Sequence, residues 1–572
     1  MDINDVKSII AYNASSIPVL FEMCRIAKIA ETVNDMVEWK SDNSKISPGF
    51  LIEVLVVTIM HRRQPLWKIE EYWSKQKLEF MLEGSGITVE QLNDDAFARA
   101  LDKLQTVNMK ELVSRICLNM LKAHDLTIES LHLDTTSISV EGMYEGDEED
   151  DFIICYGYSK DNRPDLKQFK IGAAVQQSGL PVMGQLLSGN KSDREWNPET
   201  IKEMKVFFEG QQYRDIIFVG DSATVSSYES LRQLEGIRFI SRLPENFSCV
   251  SEWKEKAWQG VNWEEVGTLS ESSRKGAAEY RIYEFVEAID GKPYRFVLVH
   301  TNSLREQKTK TLQKRWEKEK QELEKEAKRI GKRAFACVED AMRESAAFME
   351  KVESLHYNVE AHIEEKVSRK YSRRGRPGTE DSYEETVSYY VKHTIGERDD
   401  MACEKDLFME STFVLITSVM DRDRYPGWRI LAEYKGQSSI EQAFKFLKSP
   451  VYLGPVYLKK PERVEAMGYV FILVLLIASY LEYRVRKALR DRGEYYIQPN
   501  GQKSTRPSVR TILEVLETVL VIYFNGNLYL PNDTSSKILK MLEWLGFGSV
   551  NNFVYGSFWL LSGVVYCVTL TW

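Results

Sequence analysis

The sequence predicts a multidomain α+β protein, and three observations carry that prediction. Residues 1 to about 125 show apolar residues at spacings of 3 and 4 in four successive segments, the signature of packed helices. From Ser130 the apolar period changes to two, and the segments up to residue 244 then follow the order β-β-β-α-β-α-β, which makes a mixed sheet with helices on its faces. A chain of 572 residues also exceeds what one simple core holds, so two to four domains are expected.

Taken in order, the front helices are expected at 19–30, 48–61, 66–84 and 95–123, joined by short polar turns. Residues 131–140 alternate as a strand, and 169–175 with 180–187 read as a hairpin around Gln177, Ser178 and Gly179. A helix at 196–208 leads to a continuous apolar strand at 215–221, then a helix at 226–234 and a strand at 238–243. Residues 245–303 read as an irregular β-rich insert with Trp253, Trp258, Trp263 and a clear strand at 294–300. Residues 303–347 are dense in charge and poor in Gly and Pro, which predicts one or two long solvated helices without sustained heptads. A strand at 412–417, a helix at 426–442, a core helix at 461–490 and a small final unit at 508–547 complete the reading. The expected domains are 1–125, 126–244, 245–410, 411–490 and 491–572.

Composition narrows the function classes. Seven cysteines show no CxxC and no close His partner, which argues against a zinc site and for core thiols in a reducing compartment. The N-terminus lacks the basic start and apolar run of a signal peptide, so a cytoplasmic protein with no membrane partner is expected. The apolar run 464–481 carries Glu465 and is followed at once by charged residues, as a buried core helix would be. Residues 553–572 are apolar and uncharged, and the sequence assigns them no role. Net charge is −9, yet 145–151 (EGDEEDD) is acidic while 366–376 (KVSRKYSRRGR) carries only basic charges, so nucleic-acid binding would have to be local.

Two aspartates stand where a strand should be greasy. Asp134 lies within the first strand, and Asp221 ends the buried strand IIFVGD. A buried carboxylate without a partner is costly, and metal ligation supplies a reason for both, although an N-cap role for Asp221 and a turn role for Asp134 remain open. If the first and fourth strands are neighbours, the two carboxylates meet at one edge. The segment 434–448 (YKGQSSIEQAFKFLK) adds a third acid. As one continuous helix it gathers Tyr434, Gln437, Glu441 and Lys448 within roughly 60° of arc, beside an apolar stripe of Ile440, Phe444 and Leu447. That face suits metal-dependent work on a phosphodiester, and an ordinary amphipathic surface helix has the same pattern.

These residues resemble the DDE transposases of bacterial and archaeal insertion sequences, specifically the group typified by insertion sequence four. The resemblance rests on 131–137 (LHLDTTS), 157–168 (GYSKDNRPDLKQ), 219–223 (VGDSA) and the fingerprint Tyr-x2-Arg-x3-Glu-x6-Lys, and it runs to about residue 548. The fingerprint spacing is intact at Tyr434, Glu441 and Lys448, with Gln437 in the arginine position. One phosphate contact is therefore weakened, or supplied by another residue such as Lys435.

The resemblance implies an RNase H-like mixed-sheet catalytic core, interrupted by a large insertion domain and preceded by an N-terminal helical domain for DNA binding or dimerisation. It implies Asp134, Asp221 and Glu441 as metal ligands for two Mg2+ ions about 4 Å apart, with Mn2+ able to substitute. The partners would be double-stranded DNA, as terminal inverted repeats and target, and a second copy in a homodimeric synaptic complex near the nucleoid. Tyr434, Gln437 and Lys448 would bind phosphates, and Trp253, Trp258 and Trp263 are candidates for stacking on an unpaired base. Arg373-Arg374-Gly375-Arg376-Pro377 contains the Arg-Gly-Arg-Pro core that resembles an AT-hook, with Arg369 and Lys370 adding phosphate contacts. Two other readings stand beside this one: a catalytically silent DNA-binding protein derived from a transposase, and a helical interaction protein built on residues 303–360.

Overall fold

The computed structural model describes every residue except 1–9, 40–45, 83–84, 143, 145–151, 161, 211–212, 214, 270–276, 353–354, 372–381, 449–457, 459, 525–526 and 548–572. The acidic run, Arg373, Arg374, Arg376 and the apolar tail lie outside the described residues. The chain divides into two compact units, 1–241 with 433–572, and 242–432.

The first unit opens with a short strand, β1 (Ile10–Asn13), and seven helices: α1 (Ile17–Ile26), α2 (Ile29–Met36), α3 (Pro48–Arg62), α4 (Ile69–Lys75), α5 (Glu79–Leu82), α6 (Asp94–Leu104) and α7 (Met109–Lys122). α3 is apolar all round and buried along almost its whole length, so it forms the centre on which α1, α2 and α6 pack. Three expected helices prove to be broken, the one at 66–84 between α4 and α5, where Lys77 has a positive φ of 56°. Lys28, with a positive φ of 56°, separates α1 from α2, and Asn108 caps α7 by accepting from the Glu111 N–H, which separates it from α6.

The sheet of this unit contains β2 (Ser130–Val140), β3 (Lys167–Gln176), β4 (Pro181–Ser188), then α8 (Asp193–Gly210), β5 (Ile217–Gly220), α9 (Tyr228–Gln233) and β6 (Phe239–Leu243). The strand order is β4-β3-β2-β5-β6, antiparallel among β4, β3 and β2 and parallel from β2 through β5 to β6. This is the expected mixed sheet, with the first and fourth strands adjacent.

The second unit begins with α10 (Ser248–Gln259), a helix inside the stretch expected to be irregular and β-rich. It continues with β7 (Glu264–Thr268), β8 (Glu279–Ile289), β9 (Lys292–Thr301), α11 (Asn302–Gly331), α12 (Val338–Val352), β10 (Tyr357–Tyr371), β11 (Tyr383–Arg398), α13 (Asp400–Ser411) and β12 (Thr412–Thr417). β12, β9, β8 and β7 are neighbours in that order. β10 and β11 form a long antiparallel ribbon whose alternate residues Tyr357 and Val391 pack on Trp316, Leu323 and Ile330 of α11 and Phe348 of α12. Toward the tip the same face carries Val367 and Val387, paired in register and exposed.

The chain returns through α14 (Gly427–Lys435), α15 (Ser438–Leu447) and α16 (Pro461–Arg492), and ends with β13 (Tyr496–Ile497), β14 (Lys503–Ser504), α17 (Val509–Leu516), β15 (Leu520–Phe524), β16 (Asn527–Tyr529) and α18 (Ser536–Trp544). α16 is long and apolar enough to cross a membrane, but 89% of its apolar window is buried inside the protein, as expected for a core helix. It lies on β4 through a reciprocal fit: a Cβ on Gly468 would come within 2.3 Å of Leu186, and one on Gly184 within 2.6 Å of Ile472. β1 pairs antiparallel with β15, so the two ends of the described chain meet in the first unit.

Candidate active site

The pairing of β2 with β5 sets the site. Ser130 lies opposite Ile217, Leu131 opposite Phe218 and His132 opposite Val219. Carrying that register on by two residues puts Asp134 beside Asp221, on neighbouring parallel strands about 4.8 Å apart. Asp221 follows the last residue of β5, where the chain turns at once. Gly220 makes the turn possible, because a Cβ there would meet Thr224 Oγ1 at 2.0 Å. The Ala223 N–H then donates to Asp221 Oδ1 at 2.9 Å, and Ser241 Oγ donates to the Asp221 carbonyl at 2.8 Å. Ser227, not Asp221, caps the following helix.

Burial dominates the electrostatics of the pair. It pushes the Asp134 carboxyl up to about 6, opposed by Lys160 and the Thr135 N–H and reinforced by Asp221. Asp221 is raised as well, first by burial and further by Asp193. Two like charges that destabilise one another in a half-buried cleft form a donor set that a hard divalent cation would relieve.

Asp193 and Lys160 carry chemistry that the sequence reading did not assign. Asp193 opens α8 and accepts from Thr135 Oγ1 at 2.7 Å and Lys170 Nζ at 3.2 Å, while Lys160 Nζ lies 3.3 Å from its other oxygen. Burial works against ionised Asp193, but Lys160, Thr135 and Lys170 outweigh it and hold the carboxyl below its ordinary value. The signal in the sequence was Lys170. A lysine in the strand FKIGAAV is nearly fully buried, and such a charge requires a partner.

Glu441 reaches the same strand from the far end of the chain. The segment 434–448 is not the single helix expected: α14 stops at Lys435, Gly436 and Gln437 form a tight turn, and α15 starts at Ser438. The turn exists because it is seated on β2. A Cβ on Gly436 would meet the His132 ring at 3.0 Å, and Gln437 Nε2 donates to the Leu133 carbonyl at 3.4 Å. One turn earlier, Ser130 Oγ donates to Glu433 Oε2 at 2.8 Å. Strand and helices therefore advance together. Glu441 follows Gln437 by four residues, on the first turn of α15. Ile440 and Phe444 are buried beneath α15, which packs on β2 and β3, and Glu441 is exposed. Among the described residues no three acidic, His or Cys side chains already converge as a metal-holding group.

The remaining predicted residues have these places. Tyr434 and Lys448 are half-buried, whereas Gln437 is buried against β2 at 9% exposure. In the second unit, Trp253 is buried, stands edge-on to Phe285 at 5.1 Å and donates to Glu287 at 3.0 Å. Trp258 packs on Phe408, and Trp263 lies under the Arg281 guanidinium at 4.8 Å. All three belong to the internal packing of that unit. Arg369 pairs with Glu385 at 2.7 Å and lies over the Tyr383 ring, and Lys370 is in register with Glu384. The exposed aromatic groups of the first unit include Tyr156 and Tyr158, the latter 82% exposed and two residues before Lys160.

No curated protein matches the chain. Among solved structures, one described as "Mos1 transposase paired-end complex with left transposon end" matches with 14% identity over 35% of this chain and 74% of that one, at a TM-score of 0.14, which carries no structural argument. Residues 12–118 match a domain of unknown function (DUF4277). The model described as a transposase DDE domain matches residues 129–477, a span that contains Asp134, Asp221 and Glu441. With more than half of its length matched, this chain belongs to the transposase DDE domain family.

Proposed function

We propose that the chain is an active DDE transposase of the group typified by insertion sequence four, which cleaves DNA at the ends of its element and joins the freed 3′-hydroxyl to target DNA. The observation that carries this reading is the register of β2 on β5, which carried on by two residues sets Asp134 beside Asp221, with the turn that precedes the helix of Glu441 seated on the same strand β2. The strand order β4-β3-β2-β5-β6 supports an RNase H-like core, with residues 245–410 as its insertion domain and 1–125 as a helical domain that binds DNA or a second copy.

Asp134, Asp221 and Glu441 would hold two Mg2+ ions, for which Mn2+ can substitute. When bound, these supply a polarised nucleophile and stabilise the leaving 3′-oxygen. The carboxylates would fix where the scissile phosphate sits, and direct attack by water or a 3′-hydroxyl needs no covalent enzyme intermediate. Tyr434 and Lys448 flank Glu441 and position the backbone phosphates, which orients the DNA without reading its sequence. Exposed Glu441 completes the acidic set once its side chain turns toward Asp134. The same exposure is what favours the second reading, a silent DNA-binding protein derived from a transposase.

Glu441→Gln separates the two. Binding to DNA that carries the terminal inverted repeats is expected to survive, and Mg2+-dependent cleavage to fall by at least about a thousandfold. Cleavage persisting in that variant removes Glu441 from the site; absence of cleavage in the unaltered protein favours the silent reading.

A further inference from the structure

The loop before β3 delivers an ammonium group into the carboxylate site. Lys160 Nζ donates to the Thr135 carbonyl at 2.7 Å and lies 3.4 Å from Asp134 Oδ1 and 3.3 Å from Asp193 Oδ2. This placement is built in by the backbone. The Lys160 N–H donates to Ser137 Oγ at 3.1 Å, and Cys155 exchanges both backbone hydrogen bonds with Gln168. The Gln168 side chain then ties the loop down, donating to the Tyr158 carbonyl at 3.1 Å and the Gly189 carbonyl at 2.8 Å. Gly157 lets the loop approach β4 this closely, since a Cβ there would meet the Gly189 carbonyl oxygen at 2.1 Å.

Asp193 is held from its other side by Thr135 and Lys170, so it stays in place whether or not Lys160 remains on Asp134. The ammonium thus has two carboxylates within reach, one belonging to the proposed metal site and one outside it. A divalent ion held by Asp134 would stand within a few ångström of the Lys160 ammonium, and like charges at that range repel strongly in a half-buried cleft.

We propose that Lys160 is the resident counter-charge of the carboxylate site: it neutralises Asp134 while no divalent ion is bound, and withdraws onto Asp193 when one binds. The proposal rests on the reading of Asp134 as a metal ligand. Lys160 is accordingly a positioning residue that sets how tightly the site takes its metal. It also explains why buried Lys170 is paired with half-buried Asp193 beside the strand of Asp134. The pair is the anchor for the displaced ammonium.

The test is direct titration of the full-length protein with Mn2+ in the absence of DNA, reading free Mn2+ by electron paramagnetic resonance. Lys160→Met removes the charge and keeps the stem, and is expected to tighten Mn2+ binding about tenfold while lowering the melting temperature of the metal-free protein. Lys160→Gln, whose amide can still donate to the Thr135 carbonyl, is expected to tighten binding in the same way, and Lys160→Arg to stay near the unaltered protein. Unchanged or weaker Mn2+ binding in Lys160→Met and Lys160→Gln, with binding lost in Asp134→Asn, overturns the role of Lys160 alone. Full Mn2+ binding in Asp134→Asn overturns the metal-site reading and this proposal with it.

Discussion

Gln437 shows how one side chain can occupy a functional position in sequence and a structural one in space. Its amide is buried and donates to the Leu133 carbonyl, one residue before Asp134. A guanidinium introduced there would bury a charge with only one carbonyl to receive it. Gln437→Arg is therefore expected to cost roughly 1–3 kcal/mol of stability in denaturant unfolding, with no gain in affinity for end-containing DNA. Unchanged stability together with tighter DNA binding would place that side chain in the cleft instead. Asp134 and Asp221 were legible as candidates because an acid in a greasy strand contradicts its surroundings. Asp193 and Lys160 were not, because each reads as an ordinary loop or cap residue until Lys170 is known to be buried behind them.

At the level of elements, the period of apolar residues told most where one face is buried. The sheet strands β2 to β6 and the core helix α16 were all legible, since burial on two sides leaves a continuous or strictly alternating apolar record. The ribbon β10–β11 was not. Its outer face carries mostly charged and hydroxyl side chains, Glu364, Lys366, Ser368 and Lys370 in one strand and Glu384, Thr386, Ser388 and Lys392 in the other, and only the base of its inner face is covered, so the pattern imitates a solvated linker. The break at Gly436 was hidden for a different reason: a helix-compatible sequence is interrupted by what it touches, the His132 ring, and contacts leave no mark in local propensity. The fit of α16 on β4 depends equally on contact. Gly468→Leu is expected to destabilise the first unit by about 1–3 kcal/mol or more in thermal unfolding, because its first carbon already overlaps Leu186. Gly468→Ala combined with Leu186→Ala should cost less than the sum of the two single variants, and strictly additive costs would show that the two do not share that space.

The stability of the whole molecule carries a pH signature from one buried acid. Glu53 lies inside the helical front of the first unit, accepting from the Ala30 N–H at 3.0 Å, and burial pushes its carboxyl up to about 7 against the pull of that N–H and of Arg25. The folded state therefore holds a proton that the unfolded chain releases near its ordinary value of 4.5. Stability from this group is complete below about pH 4.5 and is lost as pH rises through about 7, on the order of 1–3 kcal/mol. Glu53→Gln keeps the acceptor for Ala30 and removes the proton, so denaturant unfolding at pH 5 and pH 8 should differ less than in the unaltered protein. An identical pH dependence in the variant would assign the effect to other groups.

Asp221 and Glu441 stand 220 positions apart by their numbers, with the entire second unit in the interval, yet both belong to the first unit. At a synthesis rate of ~5–20 residues per second, a ribosome takes roughly 10–45 s to pass from one to the other. During that time the two aspartates have emerged and the helix that carries the third acid has not been made. On the proposed reading, a nascent chain would hold two of the three acids and no cutting centre, which would be completed only when the polypeptide has come back to the strand where it began.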